Sequence, residues 1–207
     1  VVADPDPEQR ATLSSYLRTQ AAVWNSFTFT SRVDGMNVTV GFDVTVREMT
    51  EQEIEAHGGY AIYDDDLEAN LHYSSIAEEI NANVAVFRKT DVHEGNPLGV
   101  RAHAAFGQVI TLPKGYEQER NTGAHEIGHL LGLEDLYEEP SPGFTRPLPG
   151  FEASLMANSY NATITEPEQE RLARLALRTY WKESDIESGV GHPVRADEGP
   201  RVSPFTQ

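Results

Sequence analysis

The chain has 207 residues, with 16 Lys+Arg against 33 Asp+Glu and a formal charge of −17. That length suits a domain with a full hydrophobic core, and an acidic surface argues against a phosphate-backbone partner. No apolar run approaches the roughly 18–20 residues of a membrane span, and the absence of Cys excludes disulfides, thiolate zinc knuckles and a cysteine nucleophile.

The chain starts at Val1 without a charged and apolar leader, which reads as an excised piece of a longer polypeptide. Sequons stand at Asn37 and Asn161. Asp4-Pro5-Asp6-Pro7 supplies an N-cap acid and a first-turn proline. Leu13, Tyr16, Leu17 and Trp24 then recur at helical spacing, as one buried stripe. Phe27, Phe29 and Val33 lead to a turn at Asp34-Gly35. Met36, Val38, Val40, Phe42, Val44 and Val46 follow in strict alternation, a long hairpin within residues 27–48.

Thr50 to Glu53 forms a capping box for a short helix ending near Gly58-Gly59. Residues 60–74 carry no clear period. Short strands are expected at 83–89, 99–106 and 107–112, a helix at 117–131, and a Pro- and Gly-rich loop at 138–154. Thr165 caps a last helix to about Trp181. Residues 183–207 lack periodicity and read as a flexible tail behind a single domain at 1–182.

The chemistry concentrates in His125-Glu126-Ile127-Gly128-His129-Leu130-Leu131-Gly132-Leu133-Glu134-Asp135. Histidines at i and i+4 share a helix face and can bind one metal ion. Glu126 follows the first of them and can reach a water beside the metal. Gly132 turns the chain back, so that Asp135 approaches the same ion. Three protein ligands with a fourth position open is what a hydrolytic zinc needs. Glu134 competes with Asp135 as third ligand. A ligand from further downstream would be Glu152, Glu166, Glu168 or Glu170.

This run resembles the metzincin zinc-binding motif H-E-x-x-H-x-x-G-x-x-H/D, in the version with Asp as third ligand found in snapalysin-like proteases. The resemblance covers about residues 83–181, leaving the helix and hairpin at about 7–48 outside it. It implies an α+β metzincin-like fold: a twisted mixed sheet, an active-site helix, a methionine turn and a C-terminal helix. It also implies one catalytic Zn²⁺ on His125, His129 and Asp135, with Glu126 as general base. Ser154-Leu155-Met156-Ala157-Asn158 matches the methionine turn, with Met156 beneath the metal. The tyrosine two residues after the methionine in astacin- and serralysin-like members is replaced by Asn158. Tyr160 and Tyr137 are therefore the candidates for stabilising an oxyanion. Ala102, His103 and Ala104 resemble the edge strand that receives an extended substrate.

The expected function is a zinc-dependent endopeptidase acting on protein or peptide substrates, secreted or delivered outside a producing bacterial cell. The string Gly-Leu-Glu-Asp-Leu-Tyr also resembles metalloprotease toxin domains of bacterial polymorphic and type VI effectors, which would imply a narrow target and an immunity protein. An inactive zinc-containing peptide-binding module is a third reading, against which the intact Glu126 argues. Asp64-Asp65-Asp66 could offer oxygens to Ca²⁺, but no EF-hand spacing follows, so a solvated acidic loop is expected. His57, His72 and His93 read as surface residues, and His192 as part of the tail.

Overall fold

The computed structural model describes residues 1–4, 6–57, 66–87, 103–105, 108–112, 120–141 and 144–188. Asp6 accepts from the backbone of Glu8 and Gln9 and opens α1 (Pro7–Asn25). The face of α1 that carries Leu13, Tyr16, Leu17, Gln20 and Trp24 is buried, as its spacing predicts. Antiparallel strands β1 (Thr28–Val33) and β2 (Met36–Gly41) follow, with Val33 opposite Met36. Positive φ at both Asp34 and Gly35 gives the turn a twist matched to the strands it joins.

The ladder ends at Gly41, short of the predicted Val46. The Asn25 amide explains the loss. It accepts from the Val44 N–H at 2.7 Å and donates to the Val44 carbonyl at 3.0 Å, taking the place of a neighbouring strand. The alternation is still useful to the core, because Val44 is buried and Phe42 packs edge-on against Trp24.

Helix α2 (Glu51–Ala56) carries the predicted capping box. Helix α3 (Asp66–Glu79) arises where no period was legible. Strand β3 (Val84–Phe87) runs parallel to β5 (Val109–Leu112), and β4 (His103–Ala105) pairs antiparallel on the other edge of β5. Val2 extends this sheet, making parallel bridges to Ala85 on one side and Glu48 on the other. Among the described residues the spatial order is therefore 47–49, 1–3, β3, β5, β4, with β4 antiparallel at the edge and the others parallel.

Helix α4 (Thr122–Leu130) packs against the β4–β5 side of the sheet. Its first residue lies later than the predicted start at 117, and residues 117–119 are outside the described set. The segment predicted as loop contains a hairpin, β6 (Tyr137–Ser141) and β7 (Phe144–Pro147), with a bulge after Glu138. Pro140 and Pro147 are tolerated because a two-stranded ribbon has edges on both sides. Helix α5 (Glu166–Ser188) runs past the predicted end at Trp181, so residues 183–188 of the expected tail are helical. The arrangement is mixed α+β. Its main core draws on Leu13 and Trp24 of α1, Ile110 and Leu112 of β5, Ile127 of α4, Met156 and Leu172. The β1–β2 hairpin lies on α5 through Val33, Val40 and Ala173.

Candidate metal centre

The first turn of α4 has no side-chain cap of its own, since Asn121 sits in the left-handed region at φ 59°. Its free N–H groups find partners on α1 instead. Gly123 N–H donates to Tyr16 Oη at 2.8 Å and Ala124 N–H to Gln20 Oε1 at 3.2 Å. Trp24 Nε1 donates back to the Ala124 carbonyl at 2.7 Å. This contact requires glycine: a Cβ on Gly123 would stand 2.8 Å from Gln20 Cγ and from Tyr16 Cε1.

The other end of α4 closes locally. Gly132 adopts φ 90°, its N–H donates to the His129 carbonyl, and the Leu133 N–H donates to the Gly128 carbonyl. These are the paired bonds of a Schellman motif. The reversal carries Asp135 back toward the helix.

There, His125 Nε2 lies 3.2 Å from His129 Nε2, and Asp135 Oδ1 lies 3.1 and 3.3 Å from the two nitrogens. The other ring nitrogens are committed. His125 Nδ1 donates to the Leu155 carbonyl and His129 Nδ1 to the Leu133 carbonyl, each at 3.0 Å. In the neutral rings those bonds fix the tautomer, so both Nε2 lone pairs face the same point; in the protonated rings each Nε2–H donates to Asp135 instead. These three residues form a group able to hold a metal ion. Donors held about 2.0–2.1 Å from a tetrahedral zinc stand about 3.3 Å apart, so the observed spacings fit that ion. Side-chain exposure rises from 11% at His125 to 21% at His129 and 44% at Asp135, which opens the centre to solvent on the Asp135 side.

Charge is balanced inside this cluster. Burial alone would raise the Asp135 pKa, but hydrogen bonds from His125 and His129 hold it well below the usual carboxylate range. Burial likewise opposes protonation of His129, but the hydrogen bonds to Asp135 and to the Leu133 carbonyl, with the charges of Glu126 and Asp135, together outweigh it and raise the pKa. Glu126 is 4% exposed, and burial raises its pKa against the pull of His125 and His129. Its Oε2 is buried without a hydrogen-bond partner, a property shared among the described residues only with Ser14 Oγ. An orphaned carboxylate oxygen is costly, about 1–3 kcal/mol, and calls for an explanation in chemistry or a bound group.

Met156 is fully buried against α4. A Cβ on Gly128 would stand 2.4 Å from Met156 Sδ, so the sulfur rests directly on the helix between the two histidines. Tyr137 stacks on the His125 ring at 6.3 Å between centroids and 29° between planes. Tyr160 is 67% exposed, its backbone N–H bonded to Asn158 Oδ1.

The competing carboxylates are engaged elsewhere. Glu134 pairs with Arg171 at 2.8 Å, Glu170 with Arg174, and Glu152 accepts from the Gly150 N–H. Glu168 is buried and accepts from Ser154 and Thr165, while Glu166 is exposed in the first turn of α5. The backbone of His103 and Ala104 forms the β4 edge, and Ala102 lies outside the described residues. Asp64, Asp65, His93 and His192 also lie outside them. His57 pairs with Glu79 at 3.0 Å and is largely covered, unlike the surface residue expected, and His72 packs edge-on against Tyr73. Asn161 donates to the Glu152 carbonyl, and Asn121 donates to the Asn161 carbonyl. Asn161 is thus a structural strut, its backbone carbonyl tied to the start of α4 and its side-chain amide to the segment leading into the Met156 turn.

Compared with models of protein families, with curated proteins and with solved structures, the chain matches none. No helix among the described residues is long and apolar enough to cross a membrane. Sequence patterning did not single out the caps from Tyr16, Gln20 and Trp24, or the link from Ser154 to Glu168. The only signal for the first was two polar groups and an indole N–H within a buried stripe, each of which must find a partner.

Proposed function

We propose that the protein is a zinc-dependent endopeptidase of metzincin type, with His125, His129 and Asp135 as ligands and Glu126 as general base. The observation that carries this reading is the juxtaposition of the three converging donors with a buried, unpartnered Glu126 Oε2 one residue from the first ligand. A sheet with an antiparallel edge beside α4, and Met156 beneath the two histidines, also support it.

Zinc, when bound, supplies Lewis acidity for the scissile carbonyl and makes water a nucleophile near neutral pH. Glu126 Oε2 accepts the proton of the attacking water and delivers it to the leaving nitrogen. Burial keeps that carboxylate from bulk water and favours its holding the proton between the two steps. Tyr137, stacked on a ligand ring and half-buried, is the better placed of the two tyrosines to donate to the developing oxyanion. The β4 edge offers main-chain groups to an extended peptide.

The test compares zinc content and cleavage of a denatured general substrate by the native chain and Glu126→Gln. The expected result is one equivalent of zinc in both and cleavage by the native chain alone. Absence of zinc from the native chain would sink the reading. Zinc in both without cleavage would move it to an effector with a narrow protein target.

A further inference from the structure

The geometry points to Glu168 as a remote positioning residue of the metal centre, acting on His125 through Ser154 and one peptide group; this rests on the metal reading above. The route is continuous. Glu168 Oε1 accepts from Ser154 Oγ at 2.8 Å, and Ser154 Oγ accepts from the Met156 N–H at 2.9 Å. That N–H belongs to the same peptide group as the Leu155 carbonyl, which accepts from His125 Nδ1 at 3.0 Å. A carboxylate is thus joined to a ligand imidazole by three hydrogen bonds in series, each with its donor pointing toward Glu168.

Every side chain on the route is buried: Glu168 is 4% exposed, Ser154 0% and His125 8%. Hydrogen bonds in series polarise one another, most strongly away from water. A carboxylate pulling on Ser154 draws the peptide N–H toward it and leaves the Leu155 carbonyl richer in electrons. That carbonyl then holds the Nδ1 proton of His125 more strongly, and Nε2 becomes the better donor to a metal. Carboxylates hydrogen-bonded directly to ligand histidines act in this way; here the effect is transmitted through the Met156 turn. His129 differs, since its Nδ1 donates to Leu133, the residue closing the Schellman motif. Thr165 bonds to Glu168 Oε2 through both its N–H and its hydroxyl, anchoring the carboxylate at the start of α5.

The experiment measures zinc dissociation constants for the full chain by competition with a chromophoric chelator at one fixed pH. Ser154→Ala, Glu168→Gln, the double variant and Leu172→Ala are compared with the native protein. Each single change on the route should weaken zinc binding about 10-fold, the lower end of what outer-shell partners contribute. The double variant should bind no worse than Ser154→Ala, because both changes cut one chain. Leu172→Ala removes buried packing from α5 and should bind zinc as the native chain does, though it unfolds more easily.

Native affinity in both single variants, or losses that multiply in the double variant, would overturn the proposal and leave the metal reading intact. A native chain that takes no zinc overturns the metal reading and this proposal together. If Glu168→Gln does not fold, the ring ¹⁵N shifts of His125 in Ser154→Ala decide the matter. A shift is expected, and an unchanged ring overturns the proposal.

Discussion

The two ends of α4 are closed by opposite means. At the C-terminal end, Gly132 and Leu133 satisfy the last carbonyls within five residues of chain, and the same turn delivers Asp135 to the histidines. At the N-terminal end, the free N–H groups are met by Tyr16 and Gln20, more than a hundred residues earlier in the chain. One end depends on a backbone conformation, the other on the docking of α1. The first therefore governs the geometry of the three converging side chains, whereas the second governs whether α4 is held against the core at all.

The largest effect is expected from breaking the remote end. Gly123→Ala places a methyl group within 2.8 Å of Gln20 and Tyr16 and forces both caps away. Overpacking together with lost caps should cost about 3 kcal/mol, seen as a lower urea midpoint at unchanged slope. Tyr16→Phe is milder. It keeps the ring in the core and leaves the Gly123 N–H buried without a partner, for about 1–3 kcal/mol. In both variants the fraction that remains folded should bind zinc with native affinity. A loss of affinity at native stability would refute the division between the two ends.

Gly132→Ala should show the reverse balance. A side chain at φ 90° costs about 1–2 kcal/mol, less than the Gly123 change. It also displaces the Leu133 carbonyl that orients His129 and the path leading to Asp135. Zinc affinity should fall at least 10-fold, as for other outer-shell changes. A chelator-competition titration beside a urea melt separates the two quantities.

The same contrast explains what the sequence disclosed. The His125, His129, Gly132 and Asp135 spacing was legible because an i, i+4 pair and a glycine reversal are local, and the structure brings those side chains together. The capping box at Thr50 and the stripe on α1 were legible for the same reason. Helix α3 was not, since the exposed Leu71 lies off the face that carries Tyr73, Ile76 and Ala77 and blurs the period. The β6–β7 hairpin was hidden by prolines that only a ribbon edge admits. Strand pairing at Val2 and Glu48 rests on single bridges too short to give an alternation. Gln20 read as an ordinary polar position and Glu168 as one of several alternative downstream ligands, although each is buried and bonded across the fold.

Helix α2 supplies a local cap with no ligand attached, and so isolates the cap's own contribution. Glu53 receives hydrogen bonds from the Thr50 backbone and hydroxyl and pairs with Arg47. The Thr50 backbone bond and then Arg47 pull its pKa down to about 2. A carboxylate depressed in the folded state stabilises fully above its unfolded pKa of about 4.3, and the gain disappears as pH falls toward 2. The Glu53 side chain is about a third exposed, at 34%, so screening limits the contribution to under about 1 kcal/mol. Urea melts of the native chain and Glu53→Gln should therefore differ by a few tenths of a kcal/mol at pH 7 and converge as the pH drops from about 4 toward 2. No gap at any pH would assign the cap to side-chain amide and carboxyl alike, independent of charge. That would put this local cap in the same class as the neutral, pH-insensitive caps that Tyr16 and Gln20 place on α4.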